Sequence, residues 1–421
     1  MARSTTRELE IGRLGGSGDG IAETGDGRFY VPFTVPGDVV GVRVGPDVAT
    51  GRRCELIELR RAGPDRVEPG CAHFHTCGGC AMQHLAQPAY RIWKLNQLEQ
   101  ALARRGIQTA IQPLLAAPAH ERRRVDLAMR RVGTRCLLGF HEAGSRRIVD
   151  LAECLVMRPE LMALVAPLRE TMAGLLAPGQ GLDIKLNLCA NGIDLLLEGA
   201  LDLSLAASER LTEFAARHDV ARISWRGADG AEQTLISRRA PVMQFGGVEV
   251  AVPPGAFLQA SAVVERALVE RICATLSSAS HVADLFAGCG TFAFPLSAQS
   301  SVLAVEGEAA ALGALARAAQ KARRRIEAVR RDLARRPLDV DELAAFDAVV
   351  FDPPRAGARE QAMELARSRV PLIVGVSCAP GTFARDARIL IDGGYRLESV
   401  APLDQFLWTP HLELAGVFHR A

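Results

Sequence analysis

From about residue 260 onward the chain alternates short apolar runs with alanine- and arginine-rich helical stretches, and few folds accept that alternation. Strand candidates fall at 281–286, 301–305, 346–351, 371–376, 396–400 and 412–418, with helical text between them, as at 308–324. Apolar strands separated by helices belong to a largely parallel sheet covered on both faces. Such a sheet presents the carboxyl ends of its strands to a ligand crevice. The residues that follow each apolar run are therefore where chemistry is to be sought.

One such place is DLFAGCGTF, residues 284–292, which reads as a strand, a glycine turn and a helix start. Glycines there let the backbone approach a nucleotide closely. Glu306 ends the next strand, at the right interval to accept hydrogen bonds from ribose hydroxyls. No Walker lysine is present, so ATP hydrolysis is not expected. A second place is Cys378, directly after the run 371–377 and before Ala379-Pro380-Gly381. A cysteine at a strand end near a cofactor loop is a candidate nucleophile; a packed thiol is the alternative. A third is Asp352-Pro353-Pro354-Arg355.

The rest of the chain reads differently. Residues 1–65 hold short alternating strands with glycine turns such as Gly15-Gly16-Ser17-Gly18 and Gly25-Asp26-Gly27, the text of a small oligonucleotide-binding type barrel. Residues 66–255 are mixed strand and helix, and they open with a thiol cluster at Cys71, Cys77 and Cys80 around Gly78-Gly79. Three thiolates need a fourth ligand for a closed site, with Cys54, Cys136 and Cys154 as candidates. Zinc or an iron–sulfur cluster would satisfy four cysteines, and the paired glycines favour the bulkier group. The ten cysteines come with no apolar leader and no run of about 20 apolar residues, so a soluble, cytoplasmic chain without a membrane segment is expected. In that compartment clustered thiols suggest metal binding or catalysis. Net charge is only +2, which excludes a bulk basic nucleic-acid binder. The positive charge is nearly all arginine, with lysine at Lys94, Lys185 and Lys321 alone. The run Arg122-Arg123-Arg124 reads either as a phosphate contact or as a solvated charge run.

The loop D-L-F-x-G-x-G resembles the S-adenosylmethionine loop of class I methyltransferases. Members that methylate exocyclic amines follow D/N-P-P with an aromatic residue, where this chain has Arg355. Methyl transfer to pyrimidine carbon 5 needs other groups. That carbon is a poor nucleophile until a thiolate adds at carbon 6, and a base must then take its proton. Cys378 can be the thiolate and Glu413, in His411-Leu412-Glu413, the base, with His411 a competitor.

DLFAGCGTF, DPPRAGA, VSCAPGTFARD and the closing HLE, in this order, together resemble the RNA uridine-5-methyltransferase family. The resemblance implies Cys378 as nucleophile and Glu413 as base. It implies Gln259, Phe286, Thr291, Glu306, Asp332 and Asp352 as S-adenosylmethionine contacts. The thiol cluster resembles the 4Fe–4S site of the ribosomal-RNA members, where the fourth cysteine follows a V-D-x3-C pattern matched by Cys154. Residues 15–44 resemble a TRAM domain, an RNA-binding module that implies a basic groove tracking the RNA backbone. The expected enzyme is a monomer in three parts: a TRAM-like barrel (1–65), a central α+β domain with the cluster (66–255) and a Rossmann-like α/β catalytic domain (256–421). It forms 5-methyluridine in RNA, with 23S ribosomal RNA preferred over transfer RNA. A cytosine-5 enzyme, which would carry a second cysteine after the proline of the Asp352 motif, and a non-catalytic RNA-binding assembly factor are the rivals.

Overall fold

The computed structural model describes residues 6–421. The alternating C-terminal text forms its largest sheet. Across it run Ile326–Arg330, Ser301–Glu306, His281–Leu285, Ala348–Phe351, Leu372–Ser377, Glu413–Arg420 and Tyr395–Asp404. The first five are mutually parallel, and Glu413–Arg420 runs antiparallel between its two neighbours. Ala348–Phe351 is buried along its whole length because helices cover both faces. One face packs on Val264, Leu268 and Ile272 of helix Ala262–Thr275, the other on Phe383 and Leu390 of helix Pro380–Asp392. Ile326–Arg330 was not among the expected strands. It sits at the sheet edge, half exposed, and so carries no continuous apolar run.

Chain order reverses between His281–Leu285 and Ala348–Phe351, and that reversal opens a crevice above the carboxyl ends of the parallel strands. The antiparallel strand brings its beginning, not its end, to the same rim. Ser377 pairs with Leu414, so Cys378 and Glu413 follow on facing strands at that rim.

The linear division at residues 66 and 256 does not follow the packing. Ala110–Ile111 and Leu115–Ala116 pair with Tyr395–Asp404 and complete the C-terminal sheet. Helix Gln87–Ala103, started by Pro88 in its first turn, places Leu98 and Leu102 in the same core as Phe383 and Leu390. Two-residue strands leave no periodic trace, which is why sequence pattern assigned this segment elsewhere. After it the chain builds a separate six-stranded sheet in the order Arg135–Gly139, Arg124–Val132, Gly181–Cys189, Gly192–Glu198, Val220–Arg226, Glu232–Ser237. Helices Val165–Ala173 and Leu205–Arg217 pack on it, the latter capped by the Ser204 hydroxyl. Outgoing and returning chains lie side by side: the Arg123 amide donates to the Ala260 carbonyl at 2.9 Å, and Arg123 Nε to the Gln259 carbonyl at 3.0 Å.

The N-terminal sheet runs Thr6–Glu10, Val39–Val48, Gly51–Arg61, Gly27–Val31, Gly20–Thr24, Arg13–Leu14 around Leu9, Ile11, Phe29, Val31, Val40 and Val42. Its arginines are not bare. Arg43 meets Glu55 at 2.5 Å, Arg52 meets Asp47 at 2.9 Å, and Arg60 pairs with both Glu8 and Glu58. Several cations of the expected basic groove are therefore paired with carboxylates of the same sheet. Among the described residues no helix is long and apolar enough to cross a membrane.

Candidate active site

At the rim, the first residue after Leu372–Ser377 is Cys378 and the first residue of the antiparallel strand is Glu413. Cys378 is half-buried, whereas Glu413 is 2% exposed. Gln405 Nε2 donates to Glu413 Oε2 at 2.5 Å and also to Gln259 Oε1 at 2.8 Å. Gln259 Nε2 in turn donates to Asp352 Oδ2 at 2.8 Å, and the Ala260 amide fixes Gln405 Oε1 at 2.8 Å. Four side chains thus form one hydrogen-bonded line, Asp352–Gln259–Gln405–Glu413. Among the described residues Glu413 Oε1 has no hydrogen-bond partner.

The electrostatics favour neutral forms. Burial, reinforced by the neighbouring Asp352 carboxylate, pushes the Glu413 carboxyl far above the usual range. Burial does the same to Asp352 against the Gln259 hydrogen bond. Burial and then the Glu413 and Asp352 charges push the Cys378 thiol up to about 11, while Arg355 pulls it down. His411, the competing base, is lowered by burial and by Arg355, Lys94 and Arg122.

The glycine loop forms the other wall. Phe286 has φ 63°, a conformation costly for a bulky side chain and characteristic of functional loops. Gly288 (φ 56°) leaves open space where a Cβ would stand, whereas a Cβ on Gly290 (φ 97°) would strike the Phe294 ring at 2.6 Å. The Glu306 carboxylate accepts from the Gly288 amide at 2.9 Å and the Glu308 amide at 2.7 Å, anchoring the loop. Thr291 lies just beyond the loop, half-buried. Asp332 stands beside Gly307 and caps the Ala334 amide at 3.0 Å. Asp284 is fully buried, and burial with the Asp352 and Glu306 charges raises it well above the usual range against the Ala293 amide.

Cys71, Cys77, Cys80 and Cys154 line a single cavity of about 420 Å³ with Arg122, Gln405 and His411. Cys54 and Cys136 lie instead in the N-terminal and central apolar cores. Burial raises Cys80 to about 12, and thiolates at Cys154, Cys77 and Cys71 add to that rise. Among the described residues no three or more Cys, His, Asp or Glu side chains converge tightly enough to hold a single metal ion. The run 122–124 is neither free nor solvated. Arg122 faces the thiol cavity, Arg123 is buried on Glu265, and Arg124 stacks over Phe257 at 4.1 Å.

Gln405 was not singled out by sequence. Nothing about DQF between two strands marks it; only the fold brings it between Gln259 and Glu413.

A family model described as tRNA (Uracil-5-)-methyltransferase matches residues 247–421. An uncharacterized RNA methyltransferase of Brucella suis biovar 1 (strain 1330) is 44% identical, covering 100% of this chain and 99% of that protein. The 23S rRNA (uracil(1939)-C(5))-methyltransferase RlmD of Chromohalobacter salexigens is 34% identical, covering 97% of this chain and 88% of that protein. Among solved structures, a Pyrococcus abyssi tRNA (uracil-54, C5)-methyltransferase in complex with S-adenosyl-L-homocysteine superposes with TM-score 0.79. It is 24% identical and covers 98% of this chain and 100% of that one, a likeness of fold.

Proposed function

Because the chain belongs to the S-adenosylmethionine-dependent RNA (uracil-5-)-methyltransferase family, we propose that Cys378 and Glu413 divide its reaction between them. The enzyme methylates carbon 5 of uracil in RNA. Bound S-adenosylmethionine supplies an electrophilic methyl group on a sulfonium.

The Cys378 sulfur adds to carbon 6 of the uracil, and the displaced π electrons make carbon 5 an enolate carbon that takes the methyl group. Glu413 then removes the carbon 5 proton. The released electron pair re-forms the 5,6 double bond and expels the Cys378 thiolate. The observation that carries this reading is the meeting of the two residues on facing antiparallel strands at the crevice rim. A buried carboxyl whose basicity is raised and whose Oε1 is unengaged suits proton removal. The target base must leave its stack to reach Cys378. Gln259, Phe286, Thr291, Glu306, Asp332 and Asp352 are assigned to the S-adenosylmethionine crevice. Glu306 would share its oxygens between the loop amides and the ribose hydroxyls. RNA containing 5-fluorouridine tests the nucleophile: the intact enzyme forms a covalent adduct, and an adduct persisting in Cys378→Ala refutes it.

Cys71, Cys77, Cys80 and Cys154 are assigned to a 4Fe–4S cluster. Four thiols line a common cavity, where burial and neighbouring thiolates raise Cys77, Cys80 and Cys154, a setting that suits a cationic centre. Four cysteine thiolates are the donor set such a cluster takes. Its role is read as structural. An anaerobic preparation should be brown and contain iron, and a colourless zinc protein overturns the assignment.

The substrate is read as 23S ribosomal RNA, since a relative of that activity is similar over 97% of this chain. The N-terminal sheet is read as a TRAM-like RNA grip. Mass-spectrometric mapping of ribosomal and transfer RNA from a deletion strain decides it; 5-methyluridine lost from transfer RNA alone overturns the ribosomal assignment.

A further inference from the structure

Between the end of strand Tyr395–Asp404 and Glu413 runs a loop that is wall to two sites. Gln405 faces Glu413, while Phe406, Leu407, Thr409, Pro410 and His411 line the thiol cavity. The loop is strained where it turns, since Trp408 has φ 59°. Something must therefore hold it.

What holds it comes from helix Gln87–Ala103. Lys94 and Asp404 form an ion pair at 2.9 Å with both side chains 0% exposed. Lys94 Nζ also donates to the His411 carbonyl, at the far end of the loop. One helical turn earlier, the Tyr90 hydroxyl donates to Asp404 Oδ2 at 2.6 Å and accepts from the Trp408 amide at 2.8 Å. Residues four apart share a helix face, so two side chains grip the start, middle and end of one loop. The cysteine segment grips it too, since the Ala81 and Met82 amides donate to the Trp408 carbonyl at 2.8 and 3.2 Å.

A buried ion pair is a poor way to gain stability, because desolvation offsets most of the attraction. Its directional bonds do fix geometry. Lysine is rare in this chain, three of fifty basic residues, and its compact head with three donors suits a pocket that a planar guanidinium would not fill.

We propose that Lys94, with Tyr90 and Asp404, is a positioning residue for the proton-removal step, acting through the 405–411 loop to hold Gln405 and hence Glu413. The inference rests on Glu413 being the base. If the loop is loosened, Cys378 still adds and the methyl group still transfers. The carbon 5 proton then stays, the carbon–sulfur bond does not break, and methylated RNA remains joined to the protein.

The test uses the full-length enzyme, ordinary uridine RNA and S-adenosylmethionine labelled in the methyl group, read on a denaturing gel. Glu413→Gln is the reference. Lys94→Met with Asp404→Asn removes both buried charges together, and Tyr90→Phe removes two hydrogen bonds with little change of shape. The double variant should lose about 10–100-fold in kcat with KM for RNA within about twofold, and should accumulate the labelled adduct. Tyr90→Phe should do the same more weakly. A folded double variant or Tyr90→Phe enzyme that turns over normally overturns the proposal. So does one that slows without adduct while Glu413→Gln accumulates it. If Glu413→Gln accumulates none, it is the base assignment that has failed.

Discussion

In the N-terminal sheet Arg43, Arg52 and Arg60 each face a carboxylate across the surface. In the crevice Asp284, Asp352 and Glu413 lie near one another, and among the described residues none has an ion-pair partner. The same residue types serve opposite ends. Exposed pairs in water contribute little individually and leave the sheet nearly neutral. Burial and mutual repulsion raise these carboxyls and the Cys378 thiol with them, so negative charge is disfavoured throughout the crevice. Such a crevice is completed by a cationic ligand, and a sulfonium methyl donor is one.

The sharpest break in that comparison is Cys378→Ala. It should lower methylation by on the order of 10⁴-fold or more and leave RNA binding in place, measured by label transfer and filter binding. Glu413→Gln comes next, with turnover down about 10²–10⁴-fold and the covalent intermediate visible on a denaturing gel.

The pH dependence follows. Both Cys378 and Glu413 act deprotonated, and both are raised, so activity falls as pH drops through values at which an ordinary glutamate would still be ionised. Asp352→Asn removes a charge that raises both. The acid limb of kcat against pH should therefore move down by roughly one unit; an unmoved limb would show that Asp352 does not tune them.

Stability has the reverse sign. A carboxyl raised in the folded state binds its proton more tightly there than when unfolded. Stability is then fully present below the unfolded pKa and is lost as pH rises through the folded one. Asp284→Asn should raise the Tm of the ligand-free protein by several degrees at pH 8 and much less at pH 4, as calorimetry would show. Smallest of all, Arg52→Ala should change stability by about 0–1 kcal/mol in chemical denaturation.

The contrast also explains what sequence could tell. The places of Cys378, Asp352, Glu306 and Glu413 at the crevice were legible because each abuts an apolar run, and apolar runs in such a fold end there. The antiparallel strand made Glu413 accessible to the same reasoning from its first residue. Lys94, Asp404 and Gln405 were not legible, since their meaning lies in contacts between residues some 310 positions apart in the case of Lys94 and Asp404. Nor were the arginine pairs of the N-terminal sheet, whose partners depend on strand register: Arg43 opposes Glu55 only because Val39–Val48 pairs with Gly51–Arg61 as it does. Arg122-Arg123-Arg124 read as a phosphate contact or a solvated charge run because composition cannot show a cavity at Arg122, an ion pair from Arg123 to Glu265 or a ring under Arg124.

The side-by-side crossing at Arg123 and Ala260 has a consequence for how such a protein can be remade. The six-stranded sheet carried between the two crossings, residues 124–237, is a cassette with a core of its own, whereas 242–258 pack into the catalytic core. Grafting that cassette from a relative, with Cys154 retained, tests whether the central sheet takes part in choosing the RNA target while Cys378 and Glu413 stay in the other body. Mapping which uridines a chimera modifies would show it, and an unchanged pattern would place target choice elsewhere.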